Sequence, residues 1–398
     1  MIALIKLSLI YILRGVLHIF YLLPLKQDKI VFCAYNGKSI SCNPKYINNY
    51  LLENKGSKYK YIWVLNQLDE QEKTPEFKDK ISVVKNGSFA FFKEALTCKV
   101  YITNGIAPTY LPFRKKQCVI GTWHGGGAYK KGGVQVTKTK LSIRIMQLAA
   151  ENATYVLSSS KRFSEILQES FLVPNEKIIA CGMPRNDIMF KSTEKVKKKV
   201  RQYFDLPIDS KLILYAPTFR SDMGSVETGF RSGDYGINEM EILEALNSKF
   251  GGSWYFLFRA HYYLPDMKLD NIINTTQYPD MQELLLASDI LLNDYSSSMW
   301  DFSHKPEGSP CFLYADDWKY YEENRGFETP IKEWPFPLAE DNNQLVDKIY
   351  KFDKQTYLYN VKRHHDSLGS YENGTACARV CELIENFDKR NIKVTKSE

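Results

Sequence analysis

From residue 27 onward the chain alternates short apolar runs with stretches at helical spacing. "KIVFCAY", "YKYIWVL", "ISVVKN", "KVYITNG" and "QCVIGTWHG" read as strands. "NPKYINNYLLENKG" and "FAFFKEALTC" lie between them and read as helices, the first with Asn43 as N-cap and Pro44 at its first position. A helical stretch over 137–150 precedes "ATYVLSSS" (strand), "KRFSEILQES" (helix) and "KIIACGMPRND" (strand into loop). A second block starts at "KLILYAPTFR" and continues through "WYFLFRAH", "NIINTT", "DILLND" and "SPCFLYA", with helices at "MEILEALNSKF", "MQELLLAS" and "YSSSMWDFSH". Strands alternating with helices make parallel sheets covered on both faces. The pattern therefore predicts an α/β chain with two Rossmann-like, doubly wound domains facing a ligand cleft, over 27–195 and 205–388. The charged stretch 191–210 is the expected linker, and its run "KVKKKVRQ" reads as a solvated helix face or linker.

Residues 1–26, "MIALIKLSLIYILRGVLHIFYLLPLK", stand apart. A span needs about 20 apolar residues with few charges, and Lys6, Arg14 and His18 interrupt this segment. On a helical wheel the three fall within roughly 120° of one another. That arrangement favours an amphipathic helix lying in a membrane interface, its cations toward anionic headgroups. A tilted span and a soluble core helix are the alternatives. No small-residue cleavage site follows. The expected location is peripheral, on the cytoplasmic face of the membrane.

Composition narrows the partners. A net charge of +7 favours an anionic partner, and no nucleic-acid-binding motif is present. The eight cysteines form no CxxC pair, so they read as buried thiols in a reducing compartment rather than zinc ligands. No GxGxxG follows the first strand, which argues against a dinucleotide cofactor.

Four segments end predicted strands, the edge where open α/β sheets bind ligands: "GTWHGGG", "GMPRND", "FLFRAHYY" and "NDYSSSMWD". In the last, Asp294 ends a strand, Ser296, Ser297 and Ser298 open a helix, and Asp301 lies one turn in. Such a helix start offers N–H groups and hydroxyls to a phosphate; a serine–Asp301 capping box is the plainer alternative. Arg259 and His261, two apart at a strand end, share a face and suit a phosphate. A core-edge ion pair of Arg259 is the alternative. Arg185 follows a proline turn, with Asp187 as its possible partner. His124 is the candidate base, because imidazole titrates near neutrality; Gly125 and Lys130 beside it complete the candidate binding set. His364 and His365 are expected to face solvent.

With these segments in view, the chain resembles the CDP-glycerol glycerophosphotransferase family: teichoic-acid primases and polymerases, and relatives that build phosphopolyol-containing capsules. The matching pieces are "TWHGGGAYKK", "GMPRND", "YAPTFR", "FRAHYY", "NDYSSSMWDF" and "YENGTACARVCELI", in order from about 121 to 386. Many members read "WHGTPLK" where this chain has "WHGGGAYKK". The resemblance implies a two-domain, GT-B-like fold and a CDP-glycerol or CDP-ribitol donor. It also implies attack by an acceptor hydroxyl on the β-phosphorus, with release of CMP. It puts the base on His124 and a donor-phosphate histidine on His261. Ser296, Ser297 and Asp301 match the family's serine-rich motif, and Arg325 matches the arginine of its "RGF" element. The acceptor would be a lipid-linked glycan or polyol phosphate. No cofactor is called for, and Mg²⁺ on the pyrophosphate stays open. Two other readings use the same features: a GT-B glycosyltransferase acting on a nucleotide sugar, and a membrane-bound scaffold with a degenerate cleft.

Overall fold

The computed structural model describes residues 2–126, 129–137, 139–191, 194–218, 237–259 and 272–394. It contains two parallel sheets. The first has seven strands: β1 (Lys26–Cys33), β2 (Lys60–Leu65), β3 (Ser82–Lys85), β4 (Cys98–Thr103), β5 (Cys118–Gly121), β6 (Tyr155–Ser158) and β7 (Ile178–Ala180). Their order is β3-β2-β1-β4-β5-β6-β7. The second has six: β8 (Lys211–Tyr215), β9 (Trp254–Phe258), β10 (Ile272–Asn274), β11 (Ile290–Asn293), β12 (Cys311–Tyr314) and β13 (Leu338–Ala339), in the order β10-β9-β8-β11-β12-β13. In both, the chain crosses to the other side of the first strand after three strands, at β1/β4 and at β8/β11. Loops diverge at such reversals and leave a crevice.

Alternation in β1 shows why the strands read as unbroken apolar runs. Ile30, Phe32 and Ala34 enter one core with Val100 and Ile102. Val31 and Cys33 enter another, on the opposite face, with Tyr101. Both faces are covered, so neither register can be polar.

Contacts divide the chain into one unit of residues up to Asp187 together with those from Leu368 onward, and a second of Ile188–Ser367. This differs from the expected division at 195 and 205. The C-terminal helix Ala376–Val394 puts Val380, Leu383, Ile384 and Phe387 into the first unit's core beside Ile47 and Leu51. The expected linker contains the helix Glu194–Tyr203, which buries Val200 and Arg201. Arg201 donates to the Ser210 carbonyl from Nε (3.0 Å) and Nη2 (2.7 Å). All eight cysteines are buried free thiols.

In the N-terminal helix Ile2–Leu17, Arg14 departs from the expected headgroup-facing placement, while His18, just past it, is exposed. Arg14 points inward: its Nη1 donates to the carbonyls of Thr109 (2.7 Å) and Leu111 (3.2 Å) and to Asn152 Oδ1 (3.3 Å). Leu17 and Phe20 are buried in the first unit's core. The outward side is instead apolar: Ile5, Leu9, Ile12, Val16 and Ile19, spaced by four and three, are all exposed. Three carbonyl and amide acceptors outweigh the wheel argument, because a guanidinium satisfied by oxygen acceptors need not reach water. Among the described residues no helix is long and apolar enough to cross a membrane.

Candidate functional site

His124 sits just past β5, in a loop held from several sides. Trp123 has φ 55°, so the left-handed turn falls on tryptophan and not on Gly125 or Gly126. Asn43 Nδ2 donates to the carbonyls of Thr122 (3.0 Å) and Trp123 (3.0 Å), and Asn43 Oδ1 accepts from the Arg185 N–H (3.0 Å). Arg185 is buried and its Nη1 donates to the His124 carbonyl at 2.9 Å. Ser159 Oγ donates to the Gly126 carbonyl at 2.6 Å, and Gly125 between them is buried. At Gly121 a Cβ would run into the carbonyl of Ile106, so the strand end must be glycine. Asn43 is therefore no N-cap. Ser41 flanks that helix, and Asn43 is fully buried as a brace between the His124 loop and Arg185.

The imidazole stacks on Trp123 (centroids 5.0 Å) and meets the Tyr35 ring edge-on at 6.2 Å. Its Nδ1 lies 3.0 Å from the Asn104 carbonyl. A carbonyl only accepts, so Nδ1 carries the proton and the neutral ring's Nε2 is left as an acceptor. His124 is exposed to solvent, yet the atoms crowded around its ring withhold water from an imidazolium. That burial pushes its pKa below the usual 6.5; the Arg185 charge adds to the effect, and the Asn104 carbonyl opposes it. A neutral imidazole at the carboxyl edge of a parallel sheet can take a proton from a hydroxyl.

In the second unit Asp294 follows β11 and is fully buried. Its carboxylate accepts the N–H of Thr218 (2.8 Å), the Thr218 hydroxyl (2.5 Å) and the N–H of Ser296 (3.0 Å). Thr218 belongs to the loop after β8, so Asp294 ties the two loops of the β8/β11 reversal. Ser296 Oγ accepts from Ser298 Oγ at 3.1 Å, and Asn293 Nδ2 donates to the Ser296 carbonyl at 2.8 Å. The helix Ser298–Phe302 has five residues, with Ser297 at its N-cap and no side-chain cap bond, so the capping box is not formed. Asp301 is buried and accepts from Gln282 Nε2 at 3.2 Å. Arg259 follows β9, and its Nη1 donates to the carbonyls of Thr275 (3.2 Å) and Tyr278 (2.8 Å).

The structure thus brings His124, Gly125 and Arg185 together in one unit, and Arg259, Asp294, Ser296, Ser297, Ser298 and Asp301 in the other. Lys130 is half-buried beyond the His124 loop. Arg325 is exposed after the helix Trp318–Asn324, before Gly326 at φ 81°. His261 lies outside the described residues. Asp187 accepts the N–H groups of Ala376 (3.0 Å) and Cys377 (2.8 Å) and so caps the C-terminal helix. His364 and His365 are not solvent-facing: His364 stacks on Trp300 (4.9 Å) and His365 on His304 (4.4 Å). The sequence reading missed Asn104 and Thr218, although an Asn-Gly pair closing "KVYITNG" and the threonine of "YAPTFR" both stand at strand ends.

Comparison with known proteins gives concordant results. The sequence family described as CDP-Glycerol:Poly(glycerophosphate) glycerophosphotransferase matches residues 16–386. A teichoic acid poly(glycerol phosphate) polymerase of Bacillus spizizenii is 29% identical over 397 residues, covering 94% of this chain and 96% of that one. A teichoic acid glycerol-phosphate transferase of Staphylococcus aureus is 30% identical over 378 residues, covering 90% and 93%. A solved structure of the wall teichoic acid polymerase TagF, a variant soaked with CDPG, aligns with a TM-score of 0.75 at 28% identity, over 92% of this chain and 91% of that one.

Proposed function

The chain belongs to the CDP-glycerol:poly(glycerophosphate) glycerophosphotransferase family, and on that premise we propose that it moves glycerol phosphate from CDP-glycerol, or ribitol phosphate from CDP-ribitol, to an acceptor hydroxyl. The acceptor oxygen forms a bond to the β-phosphorus, the bond from that phosphorus to CMP breaks, and CMP leaves. The hydroxyl proton passes to Nε2 of His124. One observation carries this reading: the His124 imidazole is fixed through Nδ1 on the Asn104 carbonyl, which keeps its other nitrogen available as the base. Arg185 serves the site by holding the loop that carries the ring.

Attacked group and leaving group are both anionic, so catalysis needs positive donors on the phosphate oxygens. Arg259, Arg325 and His261 take that role, with Lys130 adding charge on the acceptor side. Ser296 and Ser297 offer hydroxyls, while Asp294 and the buried Asp301 shape their turn.

The acceptor is a lipid-linked glycan or polyol phosphate, and the protein works at the cytoplasmic face of the membrane. The exposed apolar stripe of the N-terminal helix supports a peripheral dock there. Exposed Lys115 and Lys116 support it too. They follow Arg114, which is bonded to the Phe20 and Leu23 carbonyls beside that helix.

The test is nucleotide release from CDP-glycerol, CDP-ribitol and UDP-glucose, each with lipid-linked acceptors on liposomes. Turnover of a CDP-polyol to CMP is expected. Turnover of UDP-glucose alone would favour a glycosyltransferase, and no cytidine-nucleotide binding at all would favour a scaffold.

A further inference from the structure

The loops at the β1/β4 reversal meet at one residue. Asn104 is the first residue after β4. Its Oδ1 accepts the N–H of Tyr35, two residues past β1, at 2.8 Å, and its carbonyl accepts from Nδ1 of His124 at 3.0 Å. Tyr35 and Asn36 have φ of 47° and 55°. Such left-handed conformations are costly outside glycine and persist only where neighbours impose them. Here the Asn104 carboxamide holds Tyr35, and Asn86 Nδ2 holds the Asn36 carbonyl at 3.0 Å. Tyr35 is 36% exposed, and its ring lies edge-on to His124.

Asn104 is also an expensive residue. It is 4% exposed, and among the described residues its Nδ2 has no hydrogen-bond partner. A buried donor left unpaired lowers stability, so stability alone does not account for an amide here.

We infer that Asn104 is a positioning residue for the transfer: its side chain locks the Tyr35 loop while its carbonyl fixes the tautomer and direction of the His124 ring. Base and crevice wall are then presented in one geometry. The inference rests on the reading of His124 as the base. Among the described residues, the charged or titratable groups near that ring include the Arg185 guanidinium on its carbonyl, Tyr35, and the Cys42 thiol 3.5 Å from Arg185 Nη1.

The experiment pairs kinetics with ¹⁵N-histidine NMR of the full chain, with the His124 signals assigned by their loss in H124Q. Wild type should show the Nδ1–H tautomer. Asn104→Ala keeps the carbonyl on His124 and so the Nδ1–H tautomer, but frees the Tyr35 loop; it should lower kcat about 10-fold, the scale of one net hydrogen bond, with KM for CDP-glycerol little changed. Asn104→Asp keeps the acceptor for Tyr35. It should recover most of kcat and move the acid limb of the pH profile upward, because a new carboxylate favours imidazolium. A wild-type Nε2–H tautomer overturns the inference. So does an Asn104→Ala enzyme with normal kcat. If that variant does not fold, an unmoved acid limb in Asn104→Asp overturns it. Undiminished transfer by H124A would sink the base reading instead, and the tautomer spectra would still decide whether Asn104 orients the ring.

Discussion

Asp294 grips Thr218 twice, accepting its backbone N–H at 2.8 Å and its hydroxyl at 2.5 Å. The bond joins the loops after β8 and β11 in the second unit, as the Asn104–Tyr35 bond joins those after β1 and β4 in the first. In each sheet, then, a side chain just past the reversal strand accepts an N–H from the loop after the first strand. Thr218→Val removes one hydrogen bond to a buried carboxylate while keeping volume. It should cost about 1.5–3 kcal/mol of stability and weaken CDP-glycerol binding. Urea unfolding and calorimetric titration check the two effects, and an unchanged unfolding midpoint would show that the hydroxyl bond contributes nothing.

The N-terminal helix gives two opposite expectations. Leu9→Glu with Val16→Glu changes only outward, exposed positions. That pair should release the protein from anionic liposomes in a flotation assay with the melting temperature unchanged. Deleting residues 1–24 removes buried Leu17 and Phe20, each worth about 1.5–3 kcal/mol when fully buried, and should lower the melting temperature. Normal stability of the truncated protein would contradict the observed packing.

Burial holds the His124 imidazole neutral to a lower pH than usual. The proposed role of general base requires it neutral, so kcat/KM should fall on the acid side with an inflection below 6.5. An inflection above that value would mean that the base is another group, or that a carboxylate faces His124 in the free enzyme.

His364 and His365 are each held down to about 4 by burial, with His365 also acting on His364 and Asp366 opposing the shift at His365. They stay neutral when folded and take protons near 6.5 when unfolded. The unfolded chain therefore binds more protons between those values, and stability falls as pH drops from about 6.5 toward 4. His304 stacks on His365, Ser303 Oγ lies 2.9 Å from His365 Nε2, and Trp300 covers His364. Replacing His365 with Gln should flatten that slope in urea melts taken across the range. An equally steep slope would place the acid sensitivity elsewhere.

The parallel sheets were legible because both faces of strands such as β1 are buried, which writes the strand as an uninterrupted apolar run. The His124 loop and the Asp294 turn were legible because each ends such a run. What stayed hidden depended on partners far away in the chain. Arg14 looked like a headgroup ligand until the carbonyls of Thr109 and Leu111, about a hundred residues on, claimed it. His364 and His365 looked solvated because Trp300 and His304 are some sixty residues distant. The Ala376–Val394 helix carries the same amphipathic spacing whichever unit it covers, so the pattern could not show that it returns to the first. Asn43 reads as a helix cap from its neighbours alone, and only the fold turns it toward Trp123 and Arg185.

The bond that breaks is the most direct measure of the chemistry. The protein would be given CDP-glycerol labelled with ³²P at the β-phosphorus, together with lipid-linked acceptor on liposomes, and the products separated. Transfer of the polyol phosphate puts the label on the acceptor and leaves unlabelled CMP, and H124A should suppress both products together by roughly 10²–10⁴-fold. Label retained on released CDP would mean cleavage on the glycerol side of the phosphate, as in sugar transfer, and would contradict the proposed reaction.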